Sequence, residues 1–430
     1  MAESVWKPHR RVLLASLVGT AVEFYDFYVY ATAASLFLGP LFFPSSDPSA
    51  QLLLAFATLG LAFVARPVGA VLFGHFGDRI GRKSTLVASL MLMGGSTTLI
   101  AFLPTYAQAG WIASLLLCLL RFGQGLGLGG EWGGAALLAV ENAPPGWRGR
   151  FGMVPQLGAP LGFLAANGFF LLLGELLSDR AMHDWGWRIP FLASAVLVGL
   201  GLWVRLKLTE TPAFAAALAE APPEPVPIAT LARHHLGVTL VGTLGVVGCF
   251  ALYYIATAFA LGYGTTVLGY GRNAFLQIQL GAILFMAGGI VLAGMASDQF
   301  DPRRTLIGGC LATIVVGLLL GPLLGSLSLP FAFLFLSLAL AAMGFLYGPL
   351  GAWLPELFPP RVRYTGASIA FNLGGILGGA LTPIVAQTLA TKYSLEWVGV
   401  YCAACAILSL LALLVGTPVT EIPNKPPRLR

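Results

Sequence analysis

Charge is what this 430-residue chain has least of: Asp, Glu, Lys and Arg make up 10% of it, against 57% hydrophobic residues. A soluble domain carries about 25% charged residues, so that scarcity excludes an ordinary water-soluble globule. Cysteine and histidine are scarce too, at five each. Cys118, Cys249, Cys310, Cys402 and Cys405 fall inside apolar runs, with neither metal-ligand spacing nor a disulfide framework, and read as small packing residues. His9, His75, His183, His234 and His235 fall in loops or at the edges of those runs, with no H-E-x-x-H or comparable spacing. A membrane enzyme would need a nucleophile–base set or a metal cluster, and neither is visible. Strand-like alternation is missing as well, which argues against a β-barrel. Nothing in the composition calls for a cofactor, a metal, a nucleic acid or a protein partner.

Long apolar runs are what the chain does have. A membrane helix needs roughly 20 apolar residues, and twelve candidate spans recur along the whole length. They lie near 12–38, 51–76, 85–104, 110–141, 151–177, 188–206, 236–261, 274–297, 304–325, 329–353, 364–390 and 395–416. The expected fold is therefore all-α and membrane-embedded. Glu23 and Asp26 inside the first run argue against reading it as a signal peptide. Lys and Arg follow the positive-inside rule: with the N-terminus inside, 18 fall on the cytoplasmic side, four outside (Arg180, Arg188, Arg272, Lys392) and two within spans (Arg66, Arg121). Both termini are expected in the cytoplasm, and the net charge of +6 is this topology signal.

The segment 207–235 holds Pro222, Pro223, Pro225 and Pro227 and reads as a cytoplasmic linker between bundles 1–206 and 236–430. An internal repeat supports the division. Glu141, Pro144, Pro145 and Arg148 after the fourth span recur as Glu356, Pro359, Pro360 and Arg363 after the tenth, at an offset of 215. Gly74-His-Phe-Gly-Asp78-Arg79-Ile-Gly81-Arg82-Lys83 after the second span is echoed by Gly294 to Asp298 and Arg303-Arg304 after the eighth. Parallel halves of this kind place a binding site between them.

The Gly74–Lys83 stretch resembles the loop signature of the major facilitator superfamily. Gly19-Thr-Ala-Val-Glu23-Phe-Tyr-Asp26-Phe27 is similar to a pattern of its metabolite:proton symporters, the branch that carries shikimate, 2-oxoglutarate, citrate and proline or betaine. So are the stretch Arg121 to Ala135, Phe63-x-x-Arg66-Pro67-x-Gly69, Asp184 to Phe191, and Glu210 to Phe214. The likeness is nearest to shikimate-type and other metabolite transport members. Leu208 to Phe214 and Val419 to Pro423 stand where a sugar porter would show P-E-S-P-R and P-E-T-K-G. One departure from the branch is the loop after the eighth span, where Gln299 and Asp301-Pro302 replace the D-R-x-G-R-R form, so its lock is expected to be weaker or differently built. The resemblance implies a twelve-helix fold of two pseudo-symmetric six-helix bundles, working as a monomer in the inner membrane by alternating access.

Carboxylates inside lipid-spanning helices are costly and mark function by default. Glu23 and Asp26 lie about 16 Å and about 21 Å along the first span, at ~1.5 Å per residue, and are candidates to bind the coupling proton. Glu131 is a possible second station. Arg66 and Arg121 either take a substrate carboxylate with a bidentate fork or neutralise those acids. The polar candidates for substrate contact are Tyr253, Tyr254, Gln277, Gln279, Tyr347, Asn372 and Thr382, with Gln156 and Asn167 on the fifth span, and Asn372 and Gln156 lead because an amide in mid-membrane needs a partner. Gly74, Asp78, Arg79, Gly81, Arg82, Lys83 and Asp298, with the pairs Glu141–Arg148 and Glu356–Arg363, are expected to latch the cytoplasmic side. The function expected from all this is proton symport of a small polar metabolite. An organic acid is favoured, with a zwitterion or passive facilitation as alternatives.

Overall fold

The computed structural model describes residues 2–45, 47–80, 82–129, 131–207, 231, 233–359 and 362–416, apart from the side chains at 2–8, 11–12, 15, 74–80, 82–86, 131, 134, 138 and 204–207. Its helices are, in chain order, α1 (Ala2–Ala33), α2 (Pro48–Ile80), α3 (Arg82–Ile100), α4 (Trp111–Leu128, resuming as Glu131–Glu141), α5 (Arg148–Leu176), α6 (Ile189–Lys207), α7 (Leu236–Thr266), α8 (Arg272–Phe300), α9 (Pro302–Leu318), α10 (Leu329–Glu356), α11 (Arg363–Lys392) and α12 (Leu395–Val415). Among the described residues nine of them are long and apolar enough to cross a bilayer. The others are α1, α3 with its shorter apolar stretch Val87–Ile100, and the 17-residue α9, which Leu320–Leu324 extends. Leu54, Leu119, Val196, Leu292 and Leu411 are exposed on the outside of the molecule, as a lipid-facing belt requires.

Since each helix reverses the direction of the last, α1 begins and α12 ends at the same face, called here the terminal face. The Gly74–Lys83 stretch is not an open loop there. Helix α2 runs on to Ile80 and α3 starts at Arg82.

Within the bundles α1 packs on α5, α2 and α3 on α4, α8 and α9 on α10, and α7 on α12. Between them, α2 meets α11 and α5 meets α8. These two contacts exchange under the repeat, which makes the assembly pseudo-symmetric. Backbone irregularities sit where the bundles face each other. Five-residue π turns occupy Ala34–Leu38 after α1, Ile255–Phe259 in α7 and Ile376–Ala380 in α11. Such turns free carbonyls and are common near functional sites.

Helices α2 and α4 approach backbone to backbone. A Cβ on Gly125 would be driven into the carbonyl of Ala62, and one on Gly129 into that of Arg66. Small residues are how membrane helices come this close. Gly95, by contrast, has open space where a side chain would begin. Gly125→Val is therefore expected to cost about 1–3 kcal/mol through overpacking and to lower the thermal midpoint of the detergent-purified protein, whereas Gly95→Ala leaves it unchanged. Equal midpoints for the two variants would mean that the α2–α4 contact is looser than described.

Candidate functional site

A cavity lies between the bundles, lined by residues of both. Two of its lining side chains are charged, Glu23 from α1 and Arg66 from α2. The rest of the wall is largely aromatic, with Phe27, Tyr28, Trp132, Tyr254, Tyr347 and Phe371 from five helices, and Asn372 adds an amide. Tyr253, on α7, lines it as well. The interior leaves about 40 Å³ for the centres of water molecules, room for about three waters at ~10–15 Å³ each. A metabolite of several carbons enters only if the bundles part.

Local sequence explains how Arg66 reaches this wall. It precedes Pro67 inside α2, and its guanidinium carbon stands 4.7 Å from the ring centre of Phe27 and 4.4 Å from that of Phe63. Part of the side chain faces the cavity, and its Nε has no hydrogen-bond partner in the protein. Arg66 thus offers a cation with unused hydrogen-bonding capacity beside a carboxylate of the same cavity.

Arg121 has a different place. It is wholly buried inside the first bundle, 3.9 Å from the ring centre of Tyr30 and 4.8 Å from that of Phe27. Its Nη1 bonds Gln124, whose Nε2 donates to Thr97 Oγ1 at 2.9 Å and to the carbonyl of Asp26 at 3.1 Å. Asp26 is fully buried and, like Arg121, is not part of the cavity wall. The structure thus sorts the four charged candidates into a cavity pair, Glu23 with Arg66, and an interior group, Asp26 with Arg121, joined through Gln124. The spacing of Glu23 and Asp26 puts them on neighbouring parts of α1 but does not reveal that split. Gln124 carried no signal of its own among the glycines around it.

The amides Gln156 and Asn372 tie the bundles together. Asn372 Nδ2 donates to the carbonyl of Gly129, left free at the break in α4, at 3.0 Å. Gln156 accepts from Trp132 Nε1 and donates to the carbonyl of Tyr347, both at 3.3 Å. Beside them the rings of Trp132 and Phe371 stack at 3.7 Å with 4° between planes, flooring the cavity on its terminal side. The side chain of Glu131 lies outside the described residues, as do Gly81 and the side chains of Gly74, Asp78, Arg79, Arg82 and Lys83.

At the terminal face the latch is built differently from the expectation. Arg148 reaches across to Glu356 at 2.8 Å, in place of the pairs Glu141–Arg148 and Glu356–Arg363 within each half. Arg363 instead donates to the carbonyl of Phe358 at 3.2 Å, and Glu141 is exposed. The physical reason is geometric: α5 begins beside the ends of α8 and α10, so the nearest acid to Arg148 belongs to the other bundle. Asp298 forms the second contact. It accepts the backbone N–H groups of Gly149 at 2.6 Å and Arg150 at 3.2 Å, with the Arg150 guanidinium 3.6 Å away. A carboxylate capping the positive end of α5 needs no D-R-x-G-R-R loop. The Asp301-Pro302 departure makes a sharp turn instead, with Asp301 at φ 87° and Pro302 opening α9. The opposite face is closed too, by Arg272–Asp179 at 2.8 Å, Asn273–Glu175 at 3.0 Å, and Ser35 Oγ on the carbonyl of Ala258 at 3.1 Å.

A twelve-helix membrane protein with its cavity between two bundles, barred at both faces, has the architecture of a solute carrier. Family models agree: residues 12–221 match "Sugar (and other) transporter" and residues 282–430 match "Major Facilitator Superfamily". The chain is 50% identical to the inner membrane metabolite transport protein YhjE of Escherichia coli K12, over 94% of this chain and 93% of that protein. It is 37% identical to the shikimate transporter of the same organism, over 94% of each. With the glycine betaine/proline/ectoine/pipecolic acid transporter OusA of Dickeya dadantii the identity is 31%, over 97% of this chain and 84% of that one. Among solved structures, the proton:xylose symporter XylE bound to 6-bromo-6-deoxy-D-glucose superposes with a TM-score of 0.74 at 18% identity, covering 94% of both chains. The chain belongs to the major facilitator superfamily, as a multi-pass metabolite transporter and not an enzyme.

The exposed Arg148–Glu356 pair is worth about 0–1 kcal/mol, whereas a carboxylate on a helix N-terminus with two N–H bonds is worth more. Ser368→Cys, placed between α4 and α11 in a cysteine-free background, reports opening of the terminal face to an impermeant thiol reagent. Asp298→Asn is expected to speed its labelling several-fold and Glu356→Gln by less than about threefold. Equal acceleration by the two would remove Asp298 from its leading place in the latch.

Proposed function

We propose that this transporter carries a small organic acid, such as shikimate or a dicarboxylate, across the inner membrane together with protons. The observation that carries the reading is the placement of Glu23 and Arg66 in one cavity at the bundle interface. With Glu23 ionised, the two charges answer each other and the cavity offers little to an anion. A proton on Glu23 leaves Arg66 with an unanswered positive charge and, at Nε, a donor without a partner in the protein, which a substrate carboxylate then takes. Proton and substrate therefore load together. Bundles 1–206 and 236–430, joined by the linker 207–235, then rock about the site. The latch at Asp298, Arg148 and Glu356 opens as the closure at Arg272, Asn273 and Ser35 holds. With both termini in the cytoplasm, the terminal face is the inner one and release there is downhill. One chain supplies every wall of the cavity, so a monomer suffices for transport.

A second reading has an observation of its own. Opposite charges beside an aromatic wall also suit a zwitterion, whose cationic end favours ring faces and Glu23, and OusA is named for such solutes. One assay addresses both readings. Purified protein in proteoliposomes with an internal pH dye is given shikimate, 2-oxoglutarate, citrate, quinate, proline and betaine in turn. Lumen acidification with one of the acids is expected. Glu23→Gln should abolish that acidification and uphill accumulation while leaving exchange of substrate for substrate, whereas Asp26→Asn tests the interior group separately. Accumulation that survives Glu23→Gln would take the coupling role away from Glu23. Tracer uptake with no acidification would make the protein a facilitator.

A further inference from the structure

Beyond the tyrosines, toward the face opposite the termini, lies a second and smaller cavity that no charged side chain lines. Tyr28, Tyr253 and Tyr254 belong to the walls of both cavities, and the rings of Tyr28 and Tyr253 are 5.6 Å apart, so these residues form the partition. The space leaves about 10 Å³ for the centre of a water molecule, which is the size of one hydroxyl or one water. Its wall is mostly apolar, with Ala31, Phe163, Ala258 and Leu261, but Thr32, Ser35, Asn167, Thr257 and Gln279 bring hydroxyls and amides to it.

Most of those groups are already committed. Thr32 donates to Asn167 Oδ1, Ser35 to the carbonyls of Ala31 and Ala258, and Thr257 to the carbonyl of Tyr253. Gln279 Nε2 donates to the carbonyls of Ala256 and Thr257, at 3.1 and 3.0 Å, and so satisfies acceptors of the π turn in α7. Those two bonds fix which end of the amide is the nitrogen and leave the oxygen over. Three atoms of the lining residues are left over: the Tyr253 hydroxyl in the partition and, of the amides, the donor Asn167 Nδ2 from α5 and the acceptor Gln279 Oε1 from α8. Neither amide atom has a partner in the protein, and the two residues are 1% and 0% exposed. An unmet donor or acceptor at such depth costs roughly 1–3 kcal/mol, and it is unusual for a native interior to leave two in one place.

We propose that Asn167 and Gln279 form a subsite for a neutral hydroxyl of the transported solute. A hydroxyl both accepts and donates, so it answers Nδ2 and Oε1 at once. An anion would be repelled by Oε1 and a cation by Nδ2, and either would lose its hydration without a counter-charge. The donor comes from one bundle and the acceptor from the other, so the hydroxyl is held only while the opposite face is closed. The subsite deepens the reading in which Arg66 takes the carboxylate: the acid end is recognised by charge, the hydroxylated part by this uncharged pair. Selectivity for hydroxylated over plain carboxylates follows.

The test uses thermal stabilisation of the purified full-length protein by three probes. These are shikimate, 1-cyclohexene-1-carboxylate (the same acid without its hydroxyls) and the uncharged polyol myo-inositol. Wild-type protein is expected to bind shikimate about tenfold more tightly than the deoxy acid, a typical worth for one buried hydrogen-bonding site. Asn167→Ala and the milder Asn167→Ser should erase that preference while still responding to 1-cyclohexene-1-carboxylate, a response that also certifies folding. Gln279→Met, which keeps the length of the side chain, should do the same. If the wild type binds both acids equally, or if the preference survives all three variants, the amide pair holds an ordered water and the proposal is overturned, while the role of Arg66 stands. If neither acid binds, the carboxylate reading falls; stabilisation by myo-inositol that disappears in Asn167→Ala would then keep the subsite. Silence with all three probes overturns both.

Discussion

A guanidinium held at bilayer depth must have its charge answered from within the protein, and Arg66 is where that requirement shapes the molecule. The α2 backbone that carries it is pressed against α4 through Gly125 and Gly129, so the position of Arg66 is set by helix packing and not by a flexible loop. Its plane lies over Phe27 and Phe63, which supply ring faces instead of counter-ions. Phe27 serves Arg121 in the same way, so one ring helps to hold two interior cations. What the rings do not supply is full neutralisation. That is left to Glu23, and in the proposed mechanism to whatever acid enters the cavity, which is why an arginine can be both a structural cost and a binding device.

Bonds join the two bundles at both faces, and they are individually modest. The terminal face has an exposed ion pair and one helix-capping carboxylate, and the other has an ion pair, an amide–carboxylate bond and a serine on a carbonyl. Contacts of this size can be exchanged for one another without either face dominating, so a bound solute with small differential affinity can tilt the balance. The aromatic floor of Trp132 and Phe371 adds a flat surface that separates without leaving polar groups unmet. Gln156 and Asn372 next to it bond to backbone carbonyls of the other bundle, so their partners must be replaced by water or solute when the halves part.

Much of this was legible in the sequence, and the rest was hidden for physical reasons. Long apolar runs led to twelve spans because the bilayer imposes them on any helical chain that crosses it. The Gly74–Lys83 and Glu23–Phe27 motifs led to the family, which the relatives then showed. Arg66, Glu23, Tyr253 and Asn372 could be named as candidates because a polar group inside an apolar run stands out. The Arg148–Glu356 pair was not visible because the repeat places an acid and an arginine in each half. Spacing along the chain cannot tell a partner within one half from a partner across the interface. Asn167 and Gln279 escaped notice as a pair because each is one amide in a separate bundle, and only the fold brings them to the same small cavity.

The division of the four interior charges bears on how coupling can work at all. Residues three apart on a helix point about 60° from each other, enough to set Glu23 on the cavity wall while Asp26 stays enclosed in the first bundle. A proton on Glu23 changes the charge that Arg66 presents to the solute directly, so binding and protonation meet at one guanidinium and need no signal carried through the bundle. A proton on Asp26 would have to act through the carbonyl-bonded Gln124 and through Arg121, which is itself shut off from the cavity. That route transmits a change only if the interior group has a second arrangement to adopt. Competition for a shared cation has no such requirement, and in the proposed mechanism it makes Glu23 the more economical coupling group even though Asp26 is the more deeply buried carboxylate.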